Sequence, residues 1–250
     1  MNHIKLYNIL ILSLFIYCNL YSQTADELVS KYIDSLGGIN KINSINTLTV
    51  NGKFVFDATE VSFKQTYKRP LKVVMEAVFE NGVMKQAFDG TTGWTINPFS
   101  ENPAALLLKG EALKRIRKAA DFEGALVNYK NKGNSIEFIG EEDYEGRPVY
   151  NLKLIDKEGD VSNFYIDAAT FLLRKEILKI KFEDNTITDE TILDDYRPEN
   201  GIMLPYLIEL RSPSNPNGSQ TITIESVIIN PAVEDDVFKF PGTIKNEEEK

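Results

Sequence analysis

The chain has 250 residues, with 28 basic against 37 acidic side chains and a formal net charge of −9 at pH 7. A surface this acidic disfavours nucleic acid, where binding rests on Lys and Arg neutralising phosphates, and disfavours anionic lipid surfaces, which recruit polybasic segments. The single histidine, His3, and the single cysteine, Cys18, both fall within residues 1–22. The remainder therefore has no imidazole and no thiol, which excludes disulfides, Cys/His zinc sites, thiol nucleophiles and histidine-based triads.

Residues 1–22 read as a secretory signal peptide. Lys5 supplies a positive start, residues 9–17 form an apolar run too short to span a bilayer, and small Ser22 precedes the expected cut. Tyr17 is bulky where lipid attachment at Cys18 would need a small residue, so the mature chain is expected to begin near Gln23 without a lipid of its own. Residues 23–250 are expected to form one exported domain. No later apolar run has the length of a membrane helix, and the charged residues 245–250 differ from the apolar strand expected at the end of an outer-membrane barrel.

Thr24-Ala25-Asp26-Glu27 fits a helix capping box. Leu28, Val29, Tyr32, Ile33 and Leu36 follow at helical spacing, and Gly37-Gly38 ends the run. A second short helix carries Ile39, Ile42 and Ile45. From Thr47 the period changes to two: Leu48, Val50, Phe54 and Phe56 share one strand face, with a bulge suggested by Asn51-Gly52. Val61, Phe63 and Tyr67 line the next strand, and Leu71, Val73, Met75, Ala77 and Phe79 the third. Asn81-Gly82 signals a tight hairpin into residues 83–89, and residues 93–97 close this part of the sheet around Trp94. Asn102-Pro103 reads as a helix start, with the apolar residues 104–108 behind it and Gly110 breaking the run. A second helical stretch puts Leu113, Ile116 and Ala120 on one side. Lys114, Arg115, Arg117 and Lys118 lie elsewhere on it and read as its wet face. Alternation resumes with Ile136 and Phe138, then Tyr150, Leu152 and Leu154, then Phe164 and Ile166. Leu178, Ile180 and Phe182, Ile202 to Leu210, and Ile222 to Ile228 supply the remaining strands. The expected fold is mainly β with helices (α+β). It is one antiparallel sheet of about eleven strands, a size at which open sheets curl.

No constellation for catalysis emerges, so the chain reads as a non-enzyme without cofactor or metal. Asp189, Glu190, Asp194 and Asp195 lack the glycine-bent loop of a calcium site and alternate with Thr191 and Leu193 as an exposed strand would. The glycines mark turns and build no phosphate-cradling loop. What exceeds expectation is the apolar content of the first sheet segment, with Phe54, Phe56, Phe63, Tyr67, Val73, Met75, Phe79, Phe88 and Trp94 close together in sequence. Each alone reads as ordinary core; with Leu106 and Leu107 on an apolar helix to cover them, they also fit a lined cavity.

Lys68-Arg69-Pro70 is followed, after a hairpin, by Asp89-Gly90-Thr91-Thr92-Gly93-Trp94-Thr95-Ile96-Asn97-Pro98-Phe99, and the chain later carries Phe238-Lys239-Phe240-Pro241. This pattern resembles the LolA/LolB-like family of periplasmic lipoprotein carriers, in which a Lys-Arg-Pro strand start precedes a DG-x-x-x-W-x-x-NPF segment at nearly the same separation. The Phe238–Pro241 motif is similar to that family's C-terminal strand. Motif-level similarity covers about residues 64–99 and the C-terminal region, and residues 120–146 are expanded relative to the carrier. The resemblance implies an unclosed antiparallel barrel with helices plugging its open side, periplasmic location, and an apolar cavity that receives acyl chains of lipoproteins or another lipid. It places Val73, Met75 and Ala77 at cavity-facing positions and Arg69 at a lid latch, bonding backbone carbonyls of the 104–120 helical region. The expected lining set is Phe54, Phe56, Phe63, Tyr67, Leu71, Val73, Met75, Ala77, Phe79, Trp94, Leu106 and Leu107. The implied partners are an inner-membrane donor complex and an outer-membrane acceptor, with no nucleic acid, and the protein is expected to be a monomer. A lipid-responsive sensor or binding subunit of the same fold, and a solid-core interaction module, are the competing readings. Each buried CH₂ contributes about 0.8 kcal/mol, so two or three acyl chains left in water would cost roughly 20–35 kcal/mol, and a soluble escort must enclose them.

Overall fold

The computed structural model of the protein describes residues 24–56, 59–101, 103–212 and 219–242. Residues 1–22, expected to be a signal peptide and carrying His3 and Cys18, lie outside the described residues, as do the charged residues 245–250. Two helices, α1 (Ala25–Ser35) and α2 (Ile39–Ser44), precede the strands β1 (Thr47–Phe56), β2 (Thr59–Lys68), β3 (Lys72–Phe79), β4 (Gly82–Phe88), β5 (Gly93–Ile96) and β6 (Leu106–Leu107). Helix α3 (Gly110–Ala119) then leads into β7 (Ser135–Tyr144), β8 (Arg147–Ile155), β9 (Val161–Asp167), β10 (Leu173–Phe182), β11 (Asn185–Glu199), β12 (Ile202–Arg211) and β13 (Gln220–Ile229).

These thirteen strands form one sheet in the order β6-β5-β4-β3-β2-β1-β13-β12-β11-β10-β9-β8-β7, so β6 and β7 are its two free edges and the barrel stays unclosed. Every pairing is antiparallel. The expected bulge sits between Asn51 and Gly52, where β1 slips one residue against β13. The two strands beyond the expected number are β6, which sequence reads as helix, and β11, the segment where carboxylates alternate with Thr191 and Leu193. The C-terminal motif is also not a strand. It forms a short 3₁₀ turn, Asp235–Phe238, in an extended strap.

Helix α1 begins with the capping box seen in the sequence: Glu27 N donates to Thr24 Oγ1 at 3.2 Å, and Thr24 N donates to Glu27 Oε2 at 3.0 Å. Its apolar stripe, Leu28, Val29 and Tyr32, packs on Leu152, Leu154, Phe164 and Ile166 of the inner sheet face. Leu126 and Tyr129, from the turns that follow α3, complete that cluster. The second half of the half-barrel is therefore filled from one end by α1, while α3 reaches across from the first half.

Candidate functional site

Helix α3 has two chemically different sides. Leu113, Ile116 and Ala120 recur at helical spacing and pack with Leu108 on Val73 and Phe88 of β3 and β4. Gly93 permits that approach, since a Cβ there would stand 2.8 Å from Leu113 and 3.1 Å from Ile116. The basic side, expected to be wet, is instead the fastening. Lys114 Nζ lies 2.7 Å from Asp160 Oδ1, Lys118 Nζ lies 2.9 Å from Asp160 Oδ2 and also meets Asp156, and Arg117 pairs with Glu158 at 2.6 Å. Arg115 joins Glu111, four residues before it on the helix, at 2.7 Å, and Asp189 on β11. Asp189 thus faces the helix and not solvent. Helix α3 is a bridge between β3–β5, held by apolar contact, and the β8–β9 turn with β11, held by ion pairs.

Asp160 is the buried centre of that fastening, with 1 % of its side chain exposed. Burial would push its carboxyl up, but the bonds from Lys114 and Lys118 and the Lys181 N–H outweigh it and hold it below the usual carboxylate value. Asp156 organises the turn itself, accepting from Glu158 N at 2.8 Å and Asp160 N at 3.0 Å.

Beneath the bridge is a cavity of about 680 Å³ between α3 with the following turns and the inner face of β8–β10. Leu154, Leu178 and Ile180 form its apolar wall, and Pro70 and Leu71 of the β2–β3 turn stand at one mouth. Charged side chains of α3 and the β8–β9 turn make the rim. Its volume falls within the range of about 300–1,000 Å³ typical of small-molecule sites. One acidic residue, Glu176, interrupts the apolar wall. It accepts from Ser162 Oγ at 2.9 Å, and burial raises its carboxyl above the usual value. Burial pushes the hydroxyls of Tyr32 and Tyr196 up.

Arg69, in the β2–β3 turn, is tied to three groups. Its Nε donates to the Ile45 carbonyl, and its Nη2 donates to the Ile42 carbonyl at 2.9 Å and to the Glu123 carboxylate. The guanidinium also lies 4.9 Å from the centroid of the Phe122 ring. The expected carbonyl partners in the 104–120 region are corrected: the carbonyls belong to the end of α2, and the tie to the α3 side is made through Glu123. Glu123, 6 % exposed, lines the cavity.

The other expected lining residues divide. Leu71 lines the cavity. Tyr67 and Val73 share its side of the sheet but lie packed beneath α3. Phe54, Phe63, Ala77 and Phe79 share that face too and form a separate cluster with Tyr206 and Ile224 of the last strands. The Phe54 and Phe63 ring centroids stand 4.4 Å apart. Met75 is half-buried between the two groups, opposite Gln65 and Gln86. The backbone of Phe56 ends β1, and its side chain lies outside the described residues.

Trp94 is a correction. It pairs with Ala87, which pairs with Val74, whereas Val73 pairs with Phe88 and Phe88 with Gly93 on the helix side. Trp94 therefore faces the outside of the sheet, where it packs on Phe238 and donates to the Phe238 carbonyl at 2.8 Å. Leu106 and Leu107 are a second correction: they form the edge strand β6 beside β5, and both are exposed. Sequence reasoning missed Glu176 and the β8–β9 turn acids Asp156, Glu158 and Asp160. The signal for Glu176 was an acidic residue at the inward parity of Leu178 and Ile180.

No protein-family model matches the chain. In sequence it is similar to an uncharacterized protein of Methanocaldococcus jannaschii, 25% identical over 190 residues, which covers 72% of this chain and 52% of that one. The chain thus spans about half the length of the curated relative it matches. In fold it is similar to the crystal structure of a LolA superfamily protein from Nitrosomonas europaea, with TM-score 0.56, 14% identity, and coverage of 86% of this chain and 97% of that one. A DUF1329 family protein from Desulfovibrio piger superposes with TM-score 0.56 at 13% identity, covering 86% and 96%. A candidate outer membrane lipoprotein-sorting protein domain from Vibrio parahaemolyticus gives 0.54 at 9% identity, covering 85% and 94%. The chain has the LolA-like fold.

Proposed function

We propose that this LolA-like half-barrel is a non-catalytic carrier, exported to the periplasm as a single domain over residues 23–250, that takes up acyl chains of lipoproteins or another lipid and passes them towards the outer membrane. The observation that carries the reading is the bridge: α3 spans the inner face over a cavity of about 680 Å³, gripped by apolar packing on one side and by ion pairs on the other. The lipoprotein-sorting description of the similarly folded Vibrio parahaemolyticus domain suggests the class of cargo. A cavity of this size suits one small amphiphile, so a cargo with several chains requires α3 to move away from β8–β10. Arg69 then acts as a second tie, joining the end of α2 to the turn after α3. In this reading the cargo comes from an inner-membrane donor and goes to an outer-membrane acceptor.

Organic extraction of protein purified from its native compartment, followed by mass spectrometry, tests the proposal. Stoichiometric lipid, or saturable uptake of a polarity-sensitive dye displaced by acyl compounds, is expected. Protein free of lipid that also takes up no dye would mean that the inner face is solid core, and the chain an interaction module.

A further inference from the structure

We propose that the free edge of β7 is a docking strand for an extended, lysine- and arginine-rich segment of a partner protein, which adds to the sheet as a further strand. Of the two free edges, β6 has two residues and β7 has ten. Strand β7 pairs with β8 alone. Alternate backbone N–H and C=O groups on its far side therefore have no backbone partner among the described residues. Such a row is a template for main-chain hydrogen bonds from an added strand. The side chains beside it decide which strand fits.

From Ser135 to Tyr144 there is no Lys or Arg, and Glu137, Glu141, Glu142 and Asp143 are exposed. None of the four joins an ion pair among the described residues, although Lys153 lies opposite Glu137. Glu137 and Glu142 share the outer side of the sheet, and Glu141 and Asp143 lie on the inner side, opposite Tyr150 and Pro148. Acids thus flank the bare edge on both faces. A second copy of β7 would set carboxylate against carboxylate, which is destabilising, and the bulge at Ile139 adds to that obstacle. A basic strand turns the same charges into attraction on both faces. The edge also adjoins the cavity: Ile136 pairs with Leu154, and Leu154 and Asn134 line it. A segment seated on β7 holds its protein at that mouth. The inference goes beyond the carrier reading and needs no lipid cargo.

Fluorescence polarisation provides the test, with a labelled peptide of the length of β7 built from Lys, Val and Thr, with lysines on both faces. Two controls are a copy with Glu for every Lys and a copy broken by prolines, which cannot extend a ladder. The basic peptide is expected to bind saturably, more weakly as salt is added, and to protect β7 amides from hydrogen exchange. Glu137→Lys combined with Glu141→Lys, both exposed and without hydrogen bonds among the described residues, should weaken it about tenfold or more and favour the acidic copy. Glu80→Lys combined with Glu101→Lys, on the opposite flank of the sheet and equal in charge change, should alter binding by less than about twofold. Absence of saturable binding by the basic peptide overturns the inference. So does equal binding by the proline-broken copy, since the attraction would then be charge without strand pairing. An equal effect of the two double variants overturns it as well. A dimer in sedimentation that protects β7 amides assigns the edge to a second copy and also overturns it. None of these outcomes bears on lipid uptake.

Discussion

The Asp160→Asn substitution tests whether α3 is a lid held by charge. Asp160 receives a 2.7 Å bond from Lys114, a 2.8 Å bond from the Lys181 N–H, and an ion pair at 2.9 Å from Lys118. Its side chain is 1 % exposed, against 13 % and 24 % for the two lysines, so solvent screens the pair of contacts only in part. Hydrogen bonds to charged groups contribute about 1.5–3 kcal/mol each. Asparagine keeps the shape and one acceptor but loses the charge, and Asp156 and Glu158 still hold part of the cationic side. The expected weakening of the fastening is therefore about 3 kcal/mol, roughly a hundredfold in the ratio of closed to open. Hydrogen exchange should show this as faster exchange of α3 amides with the β8–β10 amides unchanged, accompanied by faster dye entry. The pH dependence has a defined sign. The folded-state carboxyl is held below its unfolded value near 3.8, so its contribution is fully present above that value and is lost as pH falls through the lower folded one. Mild acid should consequently leave the lid closed. Unchanged α3 exchange in Asp160→Asn, or a uniform rise across the whole sheet, would refute the reasoning, since the bridge would then not be a separately opening element.

Arg69→Leu should destabilise the protein by about 1.5–3 kcal/mol in denaturant titration, because it leaves the buried Glu123 carboxylate with Lys132 alone, at 3.6 Å, and releases the Ile42 and Ile45 carbonyls, and it should accelerate cargo exchange. Arg69→Lys should fall between, keeping charge without the planar fork. Val73→Glu should fail to fold by circular dichroism, since Val73 is fully buried under α3, whereas Met75→Glu should fold and keep apolar dye binding, because Met75 is half-buried and lies outside the cavity lining. The single tryptophan, Trp94, reports the C-terminal strap: its fluorescence should not respond to cargo, and Trp94→Phe should cost about 1 kcal/mol through the lost bond to Phe238. Glu176→Gln should raise the Tm relative to wild type, by a margin that grows as pH rises above the ordinary glutamate value, because the folded state holds that proton longer than the unfolded one.

Within-strand patterns were legible where they depend on neighbours in the chain. The capping box at Thr24, the apolar stripe of α3 and the alternation of β3 all stand as read, because each is set by local spacing. Errors came where the deciding contact is distant in sequence. Residues 104–108 carry an apolar run and a helix-like start, yet Leu106 and Leu107 find the open edge of β5, and a run so short has no period to separate helix from strand. Alternation shows that Trp94 and Ile96 share a side of β5, but not which side meets α3. Register with β4 decides that. Lys114 and Lys118 look like solvated charges until the β8–β9 turn, some forty residues on, delivers Asp156 and Asp160 to them.

The two grips on α3 differ in what breaking them costs. Peeling Ile116 and Leu113 from Val73 and Phe88 exposes apolar surface to water, at roughly 25 cal/mol per Å², with nothing gained in return. Parting the lysines and arginines from the β8–β9 acids returns both partners to water, and hydration repays much of the lost attraction, most fully for exposed Arg117 and Glu158. In the carrier reading proposed above, the ion-paired side is therefore the one expected to yield first, with α3 swinging about its contact with β3–β5. That motion uncovers Leu154, Leu178 and Ile180 together with Glu176 and leaves the apolar underside of α3 in place. In that reading, a cargo entering from this direction meets hydrocarbon on the sheet, interrupted by Glu176, and charged side chains at the rim. Its chain can thus bury itself without displacing any ion from water.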